Sequence, residues 1–127
     1  MANQVDHSRY FIWQELACKH TGNCLMDAGF MRRLDALREE YAAPMILSSA
    51  YRDPKHPKEA EKAVPGMHAR GRAVDVLCSG GAAHRLLKLA LLHGFTGIGI
   101  SQSGSPDKRF LHLDDREWAT LWTYPTS

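Results

Sequence analysis

The strongest constraint on this chain is a carboxylate set inside an apolar strand. In Ala73-Val74-Asp75-Val76-Leu77 the side chains alternate, so Val74 and Val76 share one face while Asp75 shares the other with Ala73 and Leu77. An aspartate in that place is either a hydrogen-bonded structural residue, paired with Arg70 or Arg72, or a ligand. Upstream lies His68, and Gly71 between them permits a tight reversal that brings the two side chains together. A histidine nitrogen and an aspartate oxygen then point to one metal ion, and zinc accepts both donor types.

Length and composition narrow the setting. A chain of 127 residues is one domain by length, with residues 1–10 as a loose lead-in, and it is large enough to fold without disulfide staples. A net charge of +2 is too small for a nucleic-acid footprint, so nucleic acid is not an expected partner. Neither a secretory leader nor an apolar stretch of membrane-spanning length is readable, which predicts a chain made in the cytoplasm and acting as a monomer without membrane insertion. The three cysteines form no disulfide framework; Cys18, His20 and Cys24 lie close together but miss the usual zinc-knuckle spacing, and free buried thiols are expected.

The remaining pattern reads as an α+β domain. A helical turn is expected at Trp13-Gln14-Glu15-Leu16, and an amphipathic helix carrying Met26, Phe30, Leu34, Leu37 and Tyr41 on one face ends before Pro44. A strand over 45–49 follows, then a long surface loop over 53–67 containing Pro54, Pro57 and Pro65. After the Asp75 strand come a helix from Ala82 to His93, stopped by Gly94, and two strands, 97–100 and 109–113, around the polar turn 101–108. The tail Glu117 to Trp122 is read as a last helical turn. This order predicts a small, largely antiparallel sheet with helices packed on one side.

A catalytic zinc takes three protein ligands and leaves a further position open, so a third donor is required. Of the seven histidines, His7 and His56 lie in loops, His84 and His93 near the ends of a helix, and His20 in the cysteine cluster. Elimination leaves His112, centred on Phe110-Leu111-His112-Leu113-Asp114 with its leucine neighbours pointing the other way. The predicted metal site is therefore His68, Asp75 and His112.

These residues resemble a known family. His68-Ala-Arg-Gly71-Arg-Ala73-Val-Asp75 is similar to the H-x-x-G-x-A-x-D signature of the M15-type zinc D-alanyl-D-alanine carboxypeptidases and murein endopeptidases, a group that includes phage endolysins and shares its fold with the Hedgehog signalling domain. Ser49-Ala50-Tyr51-Arg52 resembles the family's S-G-Y-R segment, Phe110 to Asp114 its closing F-V-H-x-D strand, and Phe11 to Cys18 the lead-in of its short single-domain branch. The resemblance implies a zinc peptidase of that fold acting on peptidoglycan peptides, at the cell wall if phage or prophage encoded. It also implies that Arg52, beside the site, serves a substrate carboxylate or the developing oxyanion.

The chain departs from the family pattern at the general base. Many relatives carry Glu or Asp three residues before the last histidine ligand, where this chain has Arg109. Asp114, two residues after His112 and on the same strand face, is the preferred replacement, either as base or as a partner of a ligand, and Asp107 in the preceding turn is the alternative. Phe110 replaces the first histidine of the family's H-x-H, and Gly66 stands where a serine often precedes the signature. The competing function is a zinc-binding cell-wall recognition module without turnover.

Overall fold

A computed structural model of the chain describes residues 8–60 and 66–125. After a single helical turn, α1 (Trp13–Leu16), the chain enters α2 (Ala28–Tyr41). Asp27 caps α2 by accepting a hydrogen bond from the Phe30 N–H at 2.8 Å, and Ala42 in the left-handed region closes it two residues ahead of Pro44. Strand β1 (Ile46–Ser49), a short turn α3 (Pro57–Ala60), β2 (Ala73–Leu77) and α4 (Gly80–Leu92) follow. The chain then forms β3 (Gly97–Ser101), a 3-10 turn at Pro106–Lys108, β4 (Phe110–Asp114) and β5 (Thr120–Thr123).

The five strands form one mixed sheet in the order β1-β2-β4-β3-β5, antiparallel in its first three pairings and parallel between β3 and β5. The α+β class and the β3–β4 hairpin agree with the sequence expectation. The tail does not. Instead of a helical turn it adds an edge strand beside β3, because Thr120, Leu121, Trp122 and Thr123 are β-branched, aromatic or apolar residues that suit a half-covered pleat, and β3 offers an open edge. The expected long loop holds α3, and its residues 61–65 lie outside those described. Of the lead-in, Ser8 and Arg9 bond to Asp35 and Tyr10 to Glu39, which ties residues 8–10 to α2; residues 1–7 are not described.

Alternation divides the sheet by chemistry. Val74, Val76, Ile98, Leu111 and Leu113 turn to one face and join Phe30, Leu34 and Leu37 of α2 and Leu86 and Ala90 of α4 in the core. Each of these larger than alanine contributes roughly 1.5–3 kcal/mol by leaving water. The other face carries Asp75, His112, Asp114, Gly97, Gly99 and Trp122 in matched register. Cys18 and Cys24 are buried in the core, and all three cysteines are free thiols.

Gly71 joins the two halves. Its φ is +69°, and a Cβ there would lie 2.0 Å from the Leu25 carbonyl oxygen and 2.8 Å from Met26 Cα, both backbone atoms. Its own carbonyl accepts the Asp27 N–H at 2.8 Å, so the turn that carries His68 is seated against the start of α2. Gly71→Ala is expected to cost about 2–4 kcal/mol, combining left-handed strain with overpacking, as measured by chemical denaturation.

Candidate metal centre

Strand register builds most of the site. Asp75 on β2 lies opposite His112 on β4; the next places along the same row are Gly99 on β3 and Trp122 on β5. His68 arrives from the Gly66–Gly71 turn, anchored where its carbonyl accepts the Arg52 N–H at 3.1 Å. The structure thus brings together the three ligands expected from sequence. Their donor atoms lie within 4.8 Å of one another, and His68, Asp75 and His112 are all buried. Among the described residues this is the group of histidine, cysteine and acidic side chains whose geometry suits a metal ion.

Hydrogen bonding determines which nitrogens face inward. His68 Nδ1 lies 2.7 Å from the Ala50 carbonyl, a pure acceptor, so Nδ1 carries the proton and Nε2 presents its lone pair. His112 Nε2 lies 2.6 Å from Asp114 Oδ2, so its Nδ1 is the nitrogen left to bind a cation in place of the proton it shares with Asp75. Those inner nitrogens stand 3.3 and 3.0 Å from the same oxygen, Asp75 Oδ1. With the outer ring nitrogens committed to their acceptors, the two inner nitrogens and the Asp75 oxygen, hydrogen-bonded to one another here, are placed as three electron-pair donors to a cation. Two nitrogens and one oxygen, each histidine held from behind by an acceptor, fit a divalent metal of the zinc type.

The electrostatics agree. Burial alone would raise the Asp75 carboxyl, but the imidazoles of His112 and His68 outweigh it and hold Asp75 far below the usual carboxylate range. Burial would depress His112, yet the hydrogen bonds to Asp114 and Asp75 lift it above an ordinary histidine. Both shifts express the close coupling of Asp75, His112 and Asp114 in one buried cluster.

Asp114 anchors the rear of this centre. It is completely buried; Oδ1 accepts from the Arg116 N–H and Nε, and Oδ2 accepts from Arg116 Nη2 at 2.6 Å as well as from His112. Arg116 lies over the Trp122 ring, 4.5 Å from its centroid, and Trp122 in turn packs against His112 at 4.9 Å. Two glycines make the space: a Cβ at Gly97 would sit 1.9 Å from the Asp114 carboxylate, and one at Gly99 would sit 2.6 Å from the Trp122 indole nitrogen. Gly97, Gly99, Arg116 and Trp122 were not singled out from the sequence. Two glycines spaced by one residue on a strand mark a face occupied by something else, and that signal was readable.

Of the two roles expected for Asp114, base or partner of a ligand, the geometry displays the second. Its carboxylate stands at the edge of the imidazole opposite Asp75, with both oxygens hydrogen-bonded and no exposure to solvent. Asp107 is exposed in the 3-10 turn and bonded to Ser105. Arg109 donates to the Gly104 carbonyl and lines, with Leu111 and Ile100, a different surface from the ligands. Arg52 does reach the site: with Asp75, Ser49 and Phe110 it lines a cleft of about 330 Å³, and its guanidinium is braced 3.3 Å from the buried carboxylate of Glu59.

A family model described as peptidase M15 matches residues 9–114, spanning every ligand and the whole sheet except β5. The chain belongs to the peptidase M15 family. A search of curated proteins found no match. Membership makes the chain a metallopeptidase-family domain and identifies the His68, Asp75 and His112 cluster as its candidate metal centre. No helix among the described residues is long and apolar enough to cross a membrane.

Asp114→Asn is expected to weaken metal binding by about 10–100-fold while leaving the fold intact, since it removes the charge that fixes the His112 ring. Competition titration with a chromophoric chelator measures it. Gly97→Ala should produce a comparable loss by displacing the same carboxylate.

Proposed function

We propose that this chain is a zinc-dependent peptidase that hydrolyses stem or cross-link peptides of peptidoglycan, working as a monomer on the cell wall. The observation that carries the proposal is the convergence of His68 Nε2, His112 Nδ1 and Asp75 Oδ1 on one point, with an acceptor behind each ring at Ala50 and Asp114. Family membership supports the reaction class, and the His68-to-Asp75 signature supports the wall-peptide substrate and the Hedgehog-type zinc fold.

A zinc ion held by these residues supplies Lewis acidity toward a peptide carbonyl and toward water. The protein's own contributions are positional. Ala50 and Asp114 keep both imidazoles in the tautomer that donates inward, and Arg116 fixes Asp114. Arg52, held by Glu59 and by Ser49 Oγ at 3.5 Å, presents its fork to the cleft, where it receives a substrate carboxylate or the oxyanion that forms during attack. The Trp122 ring covers one flank of His112.

A second reading is a zinc-binding wall-recognition module without turnover. The observation favouring it is that Asp114 is locked behind His112 while Arg109 faces elsewhere, so neither supplies a base to the open side. Zinc-dependent release of soluble peptide from purified peptidoglycan decides between the two. The peptidase reading expects release that chelation abolishes and zinc restores, with His68→Ala and His112→Ala unable to retain metal. Arg52→Ala should retain metal yet lose about 10²–10³-fold in kcat/KM. One bound zinc with no release at any pH would establish the binding module instead.

A further inference from the structure

The cleft beside Asp75 has a charge pattern that a single substrate carboxylate does not account for. Lys19, Arg52, His56 and Lys58 all line it, and the acidic side chain among its lining residues is Asp75, which is turned toward the two imidazoles. The four basic groups come from three separate places in the chain: the residues after α1, the end of β1, and α3 with its lead-in. The fold therefore assembles them; they are not a run in sequence.

Arg52 and His56 are held by contacts within the protein. Arg52 is braced by Glu59, so part of its charge is balanced within the protein. His56 Nδ1 accepts the Lys58 backbone N–H at 3.1 Å, which places the ring proton on Nε2, and an edge contact with His20 at 5.5 Å holds the ring. Asp53, the neighbouring acid, is buried and occupied by Asn23 at 2.7 Å, Thr21 at 3.2 Å and the Lys55 N–H at 2.9 Å, so it is committed to bracing the loop. Lys19 and Lys58 extend from the exposed rim.

We infer that this wall of the cleft is a second anion subsite, in which Lys19, His56 and Lys58 recognise a free carboxylate of the peptide other than the one received by Arg52. The substrate class is thus a peptide with two carboxylates close together, such as one bearing an acidic residue next to its terminus. The inference rests on the cleft being the peptide-binding site proposed above, and it adds to that reading which peptides are preferred.

The test is equilibrium binding, measured by calorimetry on the zinc-loaded protein, so its result does not depend on turnover. Two synthetic peptides are compared, identical except that the second carboxylate of one is a carboxamide in the other. The subsite expects the dicarboxylate to bind about tenfold more tightly, a preference that shrinks as salt is raised and disappears in a Lys19→Gln, Lys58→Gln double variant. Equal binding of the two peptides by the wild type, a preference that survives the double substitution, or no binding of either peptide overturns the subsite. A dicarboxylate that binds with the expected preference but is not cleaved leaves the subsite standing and counts against the peptidase reading alone.

Discussion

One oxygen, Oδ1 of Asp75, organises this structure. It receives the inner nitrogens of His68 and His112 at 3.3 and 3.0 Å, and what surrounds it follows from keeping those three donors converged in a buried place. An uncompensated carboxylate at such depth would be costly; the imidazoles of His112 and His68 offset that cost, and a bound cation would do so more fully. The arrangement is coherent as half of a metal complex. The protein supplies the other requirement, rigidity, from the main-chain carbonyl of Ala50 behind one ring and from the Asp114–Arg116 pair behind the other.

The sheet makes this possible by separating two chemistries across its thickness. Val74, Val76, Leu111 and Leu113 belong to the helix-covered core, while their strand neighbours Asp75, His112 and Asp114 belong to the metal face. Fully buried side chains such as Phe30, Leu34 and Leu86 stabilise the first face and so support the cost of burying charge on the second. No buried side-chain nitrogen or oxygen among the described residues lacks a hydrogen-bond partner, so the polar face is complete as a network. Its outermost layer is β5, whose Trp122 covers His112 and takes the space left by Gly99, while Gly97 leaves space for Asp114.

Much of this was legible residue by residue. The 3.6-residue spacing of Phe30, Leu34, Leu37 and Tyr41 gave α2 because that face has no alternative partner than a core, and the alternation around Asp75 and His112 gave β2 and β4 because a strand's period is two. The start of α2 was placed too early: Met26 belongs to the apolar set but precedes the Asp27 cap. The tail failed for a different reason. Glu117 to Trp122 has helical spacing within a very short window, and the deciding factor was the open edge of β3, a partner far away in sequence for which no local signal exists. Asp114 lies on the ligand face as alternation predicts, but alternation tells which face a side chain takes and not which ring nitrogen it meets.

The sequence by itself determined the donor set and the order of the elements that carry it, because ligand chemistry and strand periodicity are properties of neighbouring residues. Tertiary structure alone decided what those donors are held by and what they face. The acceptor behind His68 is the Ala50 carbonyl; the fit of Asp114 depends on Gly97 of the neighbouring strand; and the basic wall of the cleft depends on Lys19, Arg52 and His56 being gathered to one place. Each of these is a contact between segments whose separation in the chain carries no pattern, and hydrogen-bond direction and local electrostatics exist only once the segments meet.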